Sequence, residues 1–314
     1  DLDRGLHVLD RDRGPRVALL RHLALQRRDE PGDDDRRPVR PLLVLLSSHF
    51  GDTNAWGVVP AGVVVELTHL ATLYHDDVMD EAELRRGARS ANSRWDNTIA
   101  ILTGDFLFAR SSKILADLGP EAVRIQARTF ERLCTGQIRE TVGPREGQDP
   151  VEHHLDVVAD KTGSLIAASG RYGALMSGAS DEHVEVLTVF GERIGVAFQL
   201  ADDLVDITSE SMQSGKTPGT DLREGIPTLA GLIALTSDDP ADARLQSLLS
   251  RPIPDDDEHA EALALLRAHP ALDEARLEAR RWADLARESL ATLPDIPARD
   301  VLAMLCDYVV SRTG

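Results

Sequence analysis

The sequence predicts an all-α protein, a single-domain helical bundle around a deep central cavity. Two observations favour this fold. Ala, Leu, Arg and Glu, which are good helix formers, are abundant among the 314 residues. Apolar residues also recur at helical spacing in long stretches that short polar breaks separate. A convincing series of alternating strand residues is absent from the sequence, so we expect helices packed around one core.

The breaks in the apolar pattern place the helices along the chain. We predict helices over 58–80, 97–118, 121–142, 150–179 and 181–208, then helix to Leu293 and again from Ala298. Residues 209–227, rich in Ser, Gly, Thr and Pro, are predicted to form a long loop. We treat residues 1–314 as one domain in which residues 1–35 are partly loop or a flexible N-terminal segment.

Charge and hydropathy exclude several classes of function. The net charge is −18, whereas a nucleic-acid-binding protein normally has a basic face, so we expect no nucleic-acid partner. No apolar run approaches the roughly 18 residues of a membrane helix, and no signal peptide is recognisable. Cys134 and Cys306 form no CxxC pair and are predicted to be reduced thiols. These features favour a cytoplasmic location.

Two acidic clusters share one spacing, DDxxD. They are Asp76, Asp77 and Asp80 in HDDVMD, and Asp202, Asp203 and Asp206 in ADDLVD. In a helix the first and last aspartates lie one above the other, about 6 Å apart along the axis. Stacked carboxylates near an apolar core are costly unless cations neutralise them, and Mg²⁺ typically bridges one or two carboxylates to substrate phosphates. A solvated acidic face is the alternative for one cluster, but two copies on apolar helices favour a metal site.

A phosphate held by Mg²⁺ also needs hydrogen-bond donors, and Arg suits it because its planar fork offers paired bonds. The candidate donors are Arg37, Arg40, His69, Arg85, Arg86, Lys161 and Lys216. Taken singly, Arg85 and Arg86 could be a solvated helix end, and His69 could be a satisfied core histidine. Only the joint spacing of these residues around the two clusters indicates a diphosphate site.

The two motifs and their flanks resemble the trans-isoprenyl diphosphate synthases, the polyprenyl synthetase family. The resemblance runs from about Arg36 to about Arg312 and includes DDVMDEAELRRG, FQLADDLVDITSESMQSGKTPGTDLREG, TGDFLFA, TGQ and KTG. It implies the isoprenoid-synthase fold and a prenyltransferase that condenses isopentenyl diphosphate with geranyl, farnesyl or geranylgeranyl diphosphate. Ionisation, condensation and elimination would follow one another, with the proton lost to the released diphosphate.

The resemblance also implies roles for single residues. The magnesium ligands would be Asp76, Asp80 and Asp202, with Asp77, Asp203 and Asp206 completing the clusters through water or weaker contacts. The allylic diphosphate would be bound by Arg85, Lys161, Thr162, Gln199 and Lys216. The isopentenyl diphosphate pocket would contain Arg37, Arg40, His69 and Arg86. Three Mg²⁺ ions are expected, with Mn²⁺ as a substitute.

Some positions depart from the usual family pattern. Arg37 stands where Lys is usual and Pro38 where Arg is usual, but the first and fourth positions of RPVR stay cationic, so we expect diphosphate binding to survive. Thr220 and Ile226 replace frequent lysines, so we expect a less basic lid over the site. The resemblance further implies a homodimer, and a transient membrane contact during product release is a further expectation.

Product length is predicted from the residues one helical turn before the first cluster. Ala71 and Thr72 are small, whereas a bulky aromatic there stops chain growth early in this family. We therefore expect a long-chain all-trans product. Ala71 and Thr72 could instead pack against a neighbouring helix, and Phe106 or Phe108 could form a lower floor.

Four alternatives remain open at this point. They are a short-chain (farnesyl or geranylgeranyl) diphosphate synthase, a class I terpene cyclase, a helical phosphohydrolase built on the His75–Asp76 pair, and a non-catalytic partner subunit. A cyclase would release hydrocarbon from an allylic diphosphate alone, whereas a synthase needs isopentenyl diphosphate as well.

Overall fold

A computed structural model describes residues 39–85, 88–209 and 218–312, and the described chain is mostly helical. Its α-helices are α1 (Val39–Ser47), α2 (Val58–Met79), α3 (Ala91–Arg94), α4 (Asn97–Leu118), α5 (Pro120–Val142), α6 (Pro150–Val158), α7 (Ser164–Met176), α8 (Asp181–Thr208), α9 (Thr220–Glu224), α10 (Leu229–Leu235), α11 (Ala243–Leu249), α12 (Asp256–Ala268), α13 (Pro270–Ser289) and α14 (Pro297–Ser311). Short 3₁₀ segments span Ser48–Phe50, Pro240–Asp242 and Leu290–Thr292. The all-α prediction is confirmed, while the single domain and the deep cavity stay predictions.

A single short hairpin supplies the strand structure of the described residues. Strand β1 (Leu84–Arg85) pairs antiparallel with β2 (Ala88–Arg89). The Ser90 side chain ties this hairpin to the chain after α2, because its Oγ donates hydrogen bonds to the backbone oxygens of Ala82 and Glu83. Arg85 is thereby held close to the end of α2.

Capping side chains explain where several helices begin. Asp96 Oδ1 accepts a hydrogen bond from the backbone nitrogen of Ile99 at 2.8 Å, and Asp149 Oδ1 does the same for Val151 at 2.8 Å. An aspartate before the first turn satisfies amide groups that have no partner within the helix. The predicted helices 58–80, 97–118 and 121–142 agree with α2, α4 and α5 to within one residue at each end.

The predicted helix over 150–179 differs from the structure in its middle. A π-helical turn (Ala159–Gly163), called the π turn below, separates α6 from α7. The backbone nitrogen of Ser164 there donates to the oxygen of Ala159, five residues earlier. The loop predicted over 209–227 is also wrong in part, because α9 occupies Thr220–Glu224; residues 210–217 lie outside the described chain.

Helix α8 runs through the core and packs against α7 and α13. Its buried face includes Leu187, Phe190, Ile194 and Ala197, which belong to one cluster with residues of α13 and α14. A glycine allows α8 to approach the π turn closely: a Cβ on Gly195 would lie 2.9 Å from Gly163 Cα. This close approach sets the π turn beside the half of α8 that bears the second acidic cluster.

Other global features agree with the sequence analysis where they are described. Cys134 and Cys306 both have free thiols. Within the described residues, no helix is both long enough and apolar enough to cross a membrane.

Candidate active site

The first acidic cluster lies at the C-terminal end of α2. Its middle aspartate, Asp77, is 4% exposed and accepts hydrogen bonds on Oδ1 from Nε and Nη2 of Arg85 at 2.6 and 2.5 Å. Asp76 is half-buried and Asp80 is exposed. The outer aspartates therefore keep their carboxylates accessible while Arg85 anchors the middle one.

The outer carboxylates of the first cluster, Asp76 and Asp80, have raised pKa values because nearby cationic side chains do not fully offset their desolvation. Desolvation raises the pKa of Asp76 to about 6, and the positive charges of Lys161 and Arg85 only partly oppose this rise. Asp80 is more exposed than Asp76, and partial desolvation raises its pKa as well, against the same two opposing charges. A carboxylate whose pKa is raised by burial is stabilised by any cation that binds beside it. The first cluster is thus suited to hold a divalent cation.

The second cluster, near the C-terminal end of α8, repeats this arrangement. Its middle aspartate, Asp203, is 8% exposed and accepts a hydrogen bond on Oδ1 from Gln199 Nε2 at 3.0 Å. Gln199 Oε1 in turn accepts one from Thr162 Oγ1 at 3.0 Å. The other oxygen of Asp203, Oδ2, lies 3.7 Å from His154 Nε2.

The outer aspartates of the second cluster contact distant parts of the chain. Asp202 Oδ1 pairs with Arg312 Nη1 at 2.8 Å, and the guanidinium of Arg312 also lies over the Phe198 ring, 5.1 Å from its centroid. Asp206 accepts backbone hydrogen bonds from Thr220 at 3.3 Å and from Asp221 at 3.2 Å. Asp206 therefore holds the start of α9 over the cluster, a contact that the sequence did not predict.

The π turn joins the two clusters through adjacent residues. Lys161 acts electrostatically on Asp76 and Asp80 of the first cluster, and its Nζ pairs with Glu140 of α5. Thr162, the next residue, bonds to Gln199 and so reaches the second cluster. Both acidic clusters therefore border one stretch of chain, which is what a shared set of cations would require.

Two arginines of α5 fix the π turn from outside. Arg132 donates through Nε to Asp160 Oδ1 at 2.8 Å and through Nη1 to Glu192 Oε2 of α8 at 2.9 Å. Arg139 donates to the other oxygen of Asp160 at 2.9 Å. Gly136 leaves room for this contact, since a Cβ there would lie 2.9 Å from Lys161 Cγ. The backbone next to Lys161 is thus clamped by charge and by close packing.

The histidine next to the first cluster turns away from it. His75 Nε2 lies 3.2 Å from the backbone oxygen of Ile101 and 3.4 Å from Asp105 Oδ1, both on α4. Gly104 accommodates the ring, because a Cβ there would lie 2.3 Å from His75 Nε2. His75 thus joins α2 to α4, whereas the phosphohydrolase alternative would need it as a metal ligand.

Several predicted site residues lack a described role in this network. Arg37, Arg86 and Lys216 lie outside the described residues. Arg40 lies in α1 and His69 in α2. The structure thus leaves the predicted isopentenyl diphosphate pocket as a prediction.

The residues predicted to set product length differ from each other in exposure. Ala71 is 0% exposed, while Thr72 is partly exposed and donates through Oγ1 to the backbone oxygen of His69 at 2.8 Å. Phe106 is 61% exposed on the outside of α4, a position that does not suit a floor beneath the cluster. The Phe108 ring packs between His75 and Phe130.

Protein ligands alone do not make a closed metal site in the described part of the chain. Over 39–85, 88–209 and 218–312, no three His, Cys, Asp or Glu side chains stand close enough together to hold an ion. Mg²⁺ keeps several waters and takes oxygens from substrate phosphates, so one or two carboxylates from each cluster suit it.

Comparison with known proteins decides the family. The sequence matches the family model described as polyprenyl synthetase over residues 36–266, well over half of the chain. The chain belongs to the polyprenyl synthetase family. The resemblance drawn from the motifs is thereby confirmed.

The polyprenyl synthetase relatives include proteins of known name and structure. The chain is 55% identical over 276 residues to a nonaprenyl diphosphate synthase of Mycobacterium tuberculosis, covering 88% of this chain and 82% of that one. A geranylgeranyl pyrophosphate synthase of Corynebacterium glutamicum, solved with calcium and isoprenyl diphosphate, superposes with a TM-score of 0.80 at 42% identity, covering 100% and 94% of the two chains. A decaprenyl diphosphate synthase of Rhodobacter capsulatus superposes with a TM-score of 0.84 at 32% identity, covering 100% of both.

Sequence reasoning missed several residues of this polyprenyl synthetase site. They are Arg132, Glu140, His154, Asp160 and Arg312. A signal existed for two of them, because Asp160 precedes the KTG motif and His154 lies two helical turns before Lys161. None existed for Arg312, which is 110 positions from Asp202 along the chain.

Proposed function

We propose that the protein condenses isopentenyl diphosphate with an allylic diphosphate and releases a long-chain all-trans polyprenyl diphosphate. The π turn carries this proposal, because Lys161 serves the first acidic cluster while Thr162 is bonded towards the second. A diphosphate at this site would then be bound by cations that the aspartates hold and by the ammonium group of Lys161. Membership of the polyprenyl synthetase family supports the same reaction.

The outer aspartates would hold magnesium. Asp76, Asp80 and Asp202 have accessible carboxylates, and the raised pKa of Asp76 favours a cation beside it. Mg²⁺ supplies Lewis-acid chemistry that draws electron density from a leaving diphosphate. Three ions, with Mn²⁺ as a substitute, remain part of the proposal, and a calcium complex of the Corynebacterium glutamicum relative supports divalent-cation binding.

Asp77 and Asp203 would act as anchors. Each is buried and bonded to a neighbouring donor, Arg85 for Asp77 and Gln199 for Asp203. Anchored carboxylates hold their helical turns in one orientation, so the outer aspartates stay aimed at the substrate. Anchoring Asp77 is thus a role for Arg85 in addition to the predicted donation to the allylic diphosphate.

Lys161 would donate to the allylic diphosphate, and the hydrogen bond between Thr162 and Gln199 would support the same part of the site. Charge-assisted donors aimed at the leaving oxygens stabilise the charge that develops as the allylic bond breaks. In the present structure Lys161 pairs with Glu140. Binding of a diphosphate would draw Lys161 from Glu140, since a phosphate carries more charge than one carboxylate.

A long product is favoured by the small residues before the first cluster and by the nonaprenyl and decaprenyl synthases among the relatives. A short-chain synthase is the second candidate. It is favoured by the full burial of Ala71 and by the geranylgeranyl synthase among the structural relatives.

Product analysis tests the proposal directly. The purified protein would be incubated with labelled isopentenyl diphosphate, Mg²⁺ and geranyl, farnesyl or geranylgeranyl diphosphate in turn. We expect extracted products well beyond twenty carbons that require both substrates and vanish with chelator. Hydrocarbon released from an allylic diphosphate alone would indicate a cyclase, and twenty carbons or fewer would indicate the short-chain synthase.

We also propose that two copies of the chain associate through α4. Ile99, Leu102 and Phe106 lie three and four positions apart on this helix and are exposed, as an apolar stripe that a second copy would cover. A cytoplasmic location and a transient membrane contact during product release complete the proposal.

A further inference from the structure

His154 borders the second acidic cluster but has no role in the mechanism above. It lies on α6, and its side chain is 11% exposed. Its Nε2 is buried and has no hydrogen-bond partner, although Asp203 Oδ2 is 3.7 Å away. Buried polar atoms are nearly always bonded in native proteins, so an exception beside a functional carboxylate indicates a use.

The geometry around Asp203 shows what that use would be. Gln199 Nε2 already bonds to Oδ1 at 3.0 Å, and His154 Nε2 faces Oδ2. The two donors thus address different oxygens of one carboxylate. The separation of 3.7 Å exceeds hydrogen-bond length, and a shift of about 0.8 Å would bring it to the usual 2.9 Å.

We propose that His154 is a positioning residue that donates an Nε2–H hydrogen bond to Asp203 when divalent cations occupy the second cluster, and that this bond raises cation affinity there. The inference rests on the proposed function, which places cations at Asp202. Partners that orient a metal-binding carboxylate typically change metal affinity by about 10- to 100-fold when they are removed. The Nε2–H donor is present in the protonated ring and in the neutral tautomer that carries its hydrogen on Nε2, so the proposal does not require His154 to be charged.

The neighbouring histidine provides a matched control. His153 Nε2 lies 3.2 Å from the backbone oxygen of Arg139, so it faces α5 and not the second cluster. Both histidines are largely buried on the same short helix. A substitution at His153 should therefore affect folding to a similar degree without affecting the carboxylate of Asp203.

The test compares His154→Phe, His154→Gln, His154→Asn and His153→Gln in the full chain. Thermal melting is followed as Mg²⁺ is titrated, first alone and then with inorganic diphosphate present. We expect His154→Phe to raise the Mg²⁺ concentration for the half-maximal shift about tenfold. His154→Gln should restore the wild-type midpoint, because its amide nitrogen can take the place of Nε2, whereas His154→Asn should not. His153→Gln should lower the melting temperature without moving the Mg²⁺ midpoint.

Two results would overturn the proposal. One is an unchanged Mg²⁺ midpoint in His154→Phe. The other is a higher Mg²⁺ midpoint that appears only when inorganic diphosphate is present, which would make His154 a diphosphate-binding residue. The titration needs no turnover, so it tests the role of His154 separately from the proposed function. A wild-type chain that fails to condense the substrates would refute the proposed function, even if His154→Phe weakens Mg²⁺ binding as expected.

Discussion

Asp77 and Asp203 are the second aspartates of their DDxxD motifs, and both turn into the protein, at 4% and 8% exposure. Arg85 anchors the first and Gln199 the second. Two helices that are far apart in sequence thus use one plan, in which a buried middle carboxylate orients two outer ones. In the first cluster the outer carboxylates bear an electrostatic cost, because burial raises the pKa of both Asp76 and Asp80.

In the absence of metal ions, Asp76→Asn should stabilise the folded protein. Because burial raises the pKa of Asp76 from 3.8 to about 6, the folded state binds a proton more tightly than the unfolded state. Stability is then lost as the pH rises from about 4 to about 6, and the ionised carboxylate destabilises the fold above that range. Removing it should raise stability at pH 8 by about 1–3 kcal/mol and hardly at all below pH 4.

Melting with chelator present at pH 4, 6 and 8 checks this prediction. Asp117→Asn, an exposed position on α4, is the control and should change little at any pH. An equal gain from Asp76→Asn at pH 4 and pH 8 would contradict the electrostatic explanation. Activity should be lost in Asp76→Asn at every pH.

Gly136→Ala should impair the site more than the fold. A Cβ at this position would lie 2.9 Å from Asp160 Cβ and 3.0 Å from the backbone nitrogen of Lys161, so the π turn must shift. We expect a loss of about 1–3 kcal/mol in the free energy of unfolding and at least a tenfold fall in kcat.

Gly62→Ala is the matched control for Gly136→Ala. The nearest neighbour of a Cβ on Gly62 would be Pro41 Cβ of α1 at 3.9 Å, which is an ordinary van der Waals contact. It should keep full activity and gain up to about 1 kcal/mol from better helix propensity. Equal kcat losses in the two variants would show that the clamp on the π turn is unimportant.

Arg312→Met should strengthen Mg²⁺ binding in the absence of substrate. The guanidinium of Arg312 occupies Asp202 Oδ1 at 2.8 Å, so a cation and Arg312 compete for one carboxylate. Partly exposed ion pairs contribute about 0–1 kcal/mol, so we expect a gain of up to about fivefold in affinity. A Mg²⁺ titration followed by thermal melting measures this affinity.

Arg299→Met is the control, because it removes an ion pair with Asp295 at the other end of α14 and should leave the Mg²⁺ midpoint unchanged. Weaker Mg²⁺ binding in Arg312→Met would refute competition between Arg312 and the cation for Asp202.

Thr72→Phe and Ala71→Phe should both shorten the product. An aromatic ring one helical turn before the first cluster would block a tail that runs along α2. Ala71→Phe should also cost about 1–3 kcal/mol of stability, because its surroundings are closed. Mass spectrometry of the extracted products reads chain length, and Thr72→Val, of similar size, should leave it unchanged. If both Phe variants still made the full-length product, α2 would not control chain length.

Phe106→Asp should dissociate the proposed dimer. The Phe106 side chain is 61% exposed, so the substitution costs the single chain little, while a charge buried between two copies would be strongly unfavourable. Sedimentation of the wild-type chain should give twice the monomer mass, and the variant should give the monomer mass. Leu277→Asp, at an exposed leucine on α13, is the control and should remain dimeric. A monomeric wild-type chain would exclude the interface.

The sequence predicted the helices and the two acidic clusters because both depend on local pattern. Helical spacing alone places Asp76 and Asp80 on one face with Asp77 turned aside. It does not say which face points inward, because that depends on Arg85 and the hairpin that carries it. The ion pair of Asp202 with Arg312 joins residues from α8 and the end of α14, and no local pattern encodes such a distance.

The π turn was missed for a related reason. Its residues are compatible with an ordinary helix, and the extra residue is stabilised by Arg132 and Arg139, which come from another helix. Side chains that act across helices become visible only once the helices are packed.

The extra residue in the π turn between α6 and α7 also sets how far α6 is rotated about its axis relative to α7. Each residue of a helix turns the chain by about 100°, so deleting one residue between Ala159 and Gly163 would rotate α6 by that angle relative to α7. If α7 stayed packed in the core, this rotation would turn the His154 side chain away from α8. A related chain that is one residue shorter here would thus lose His154 from beside Asp203, so the length of this turn decides which α6 side chains reach the second acidic cluster.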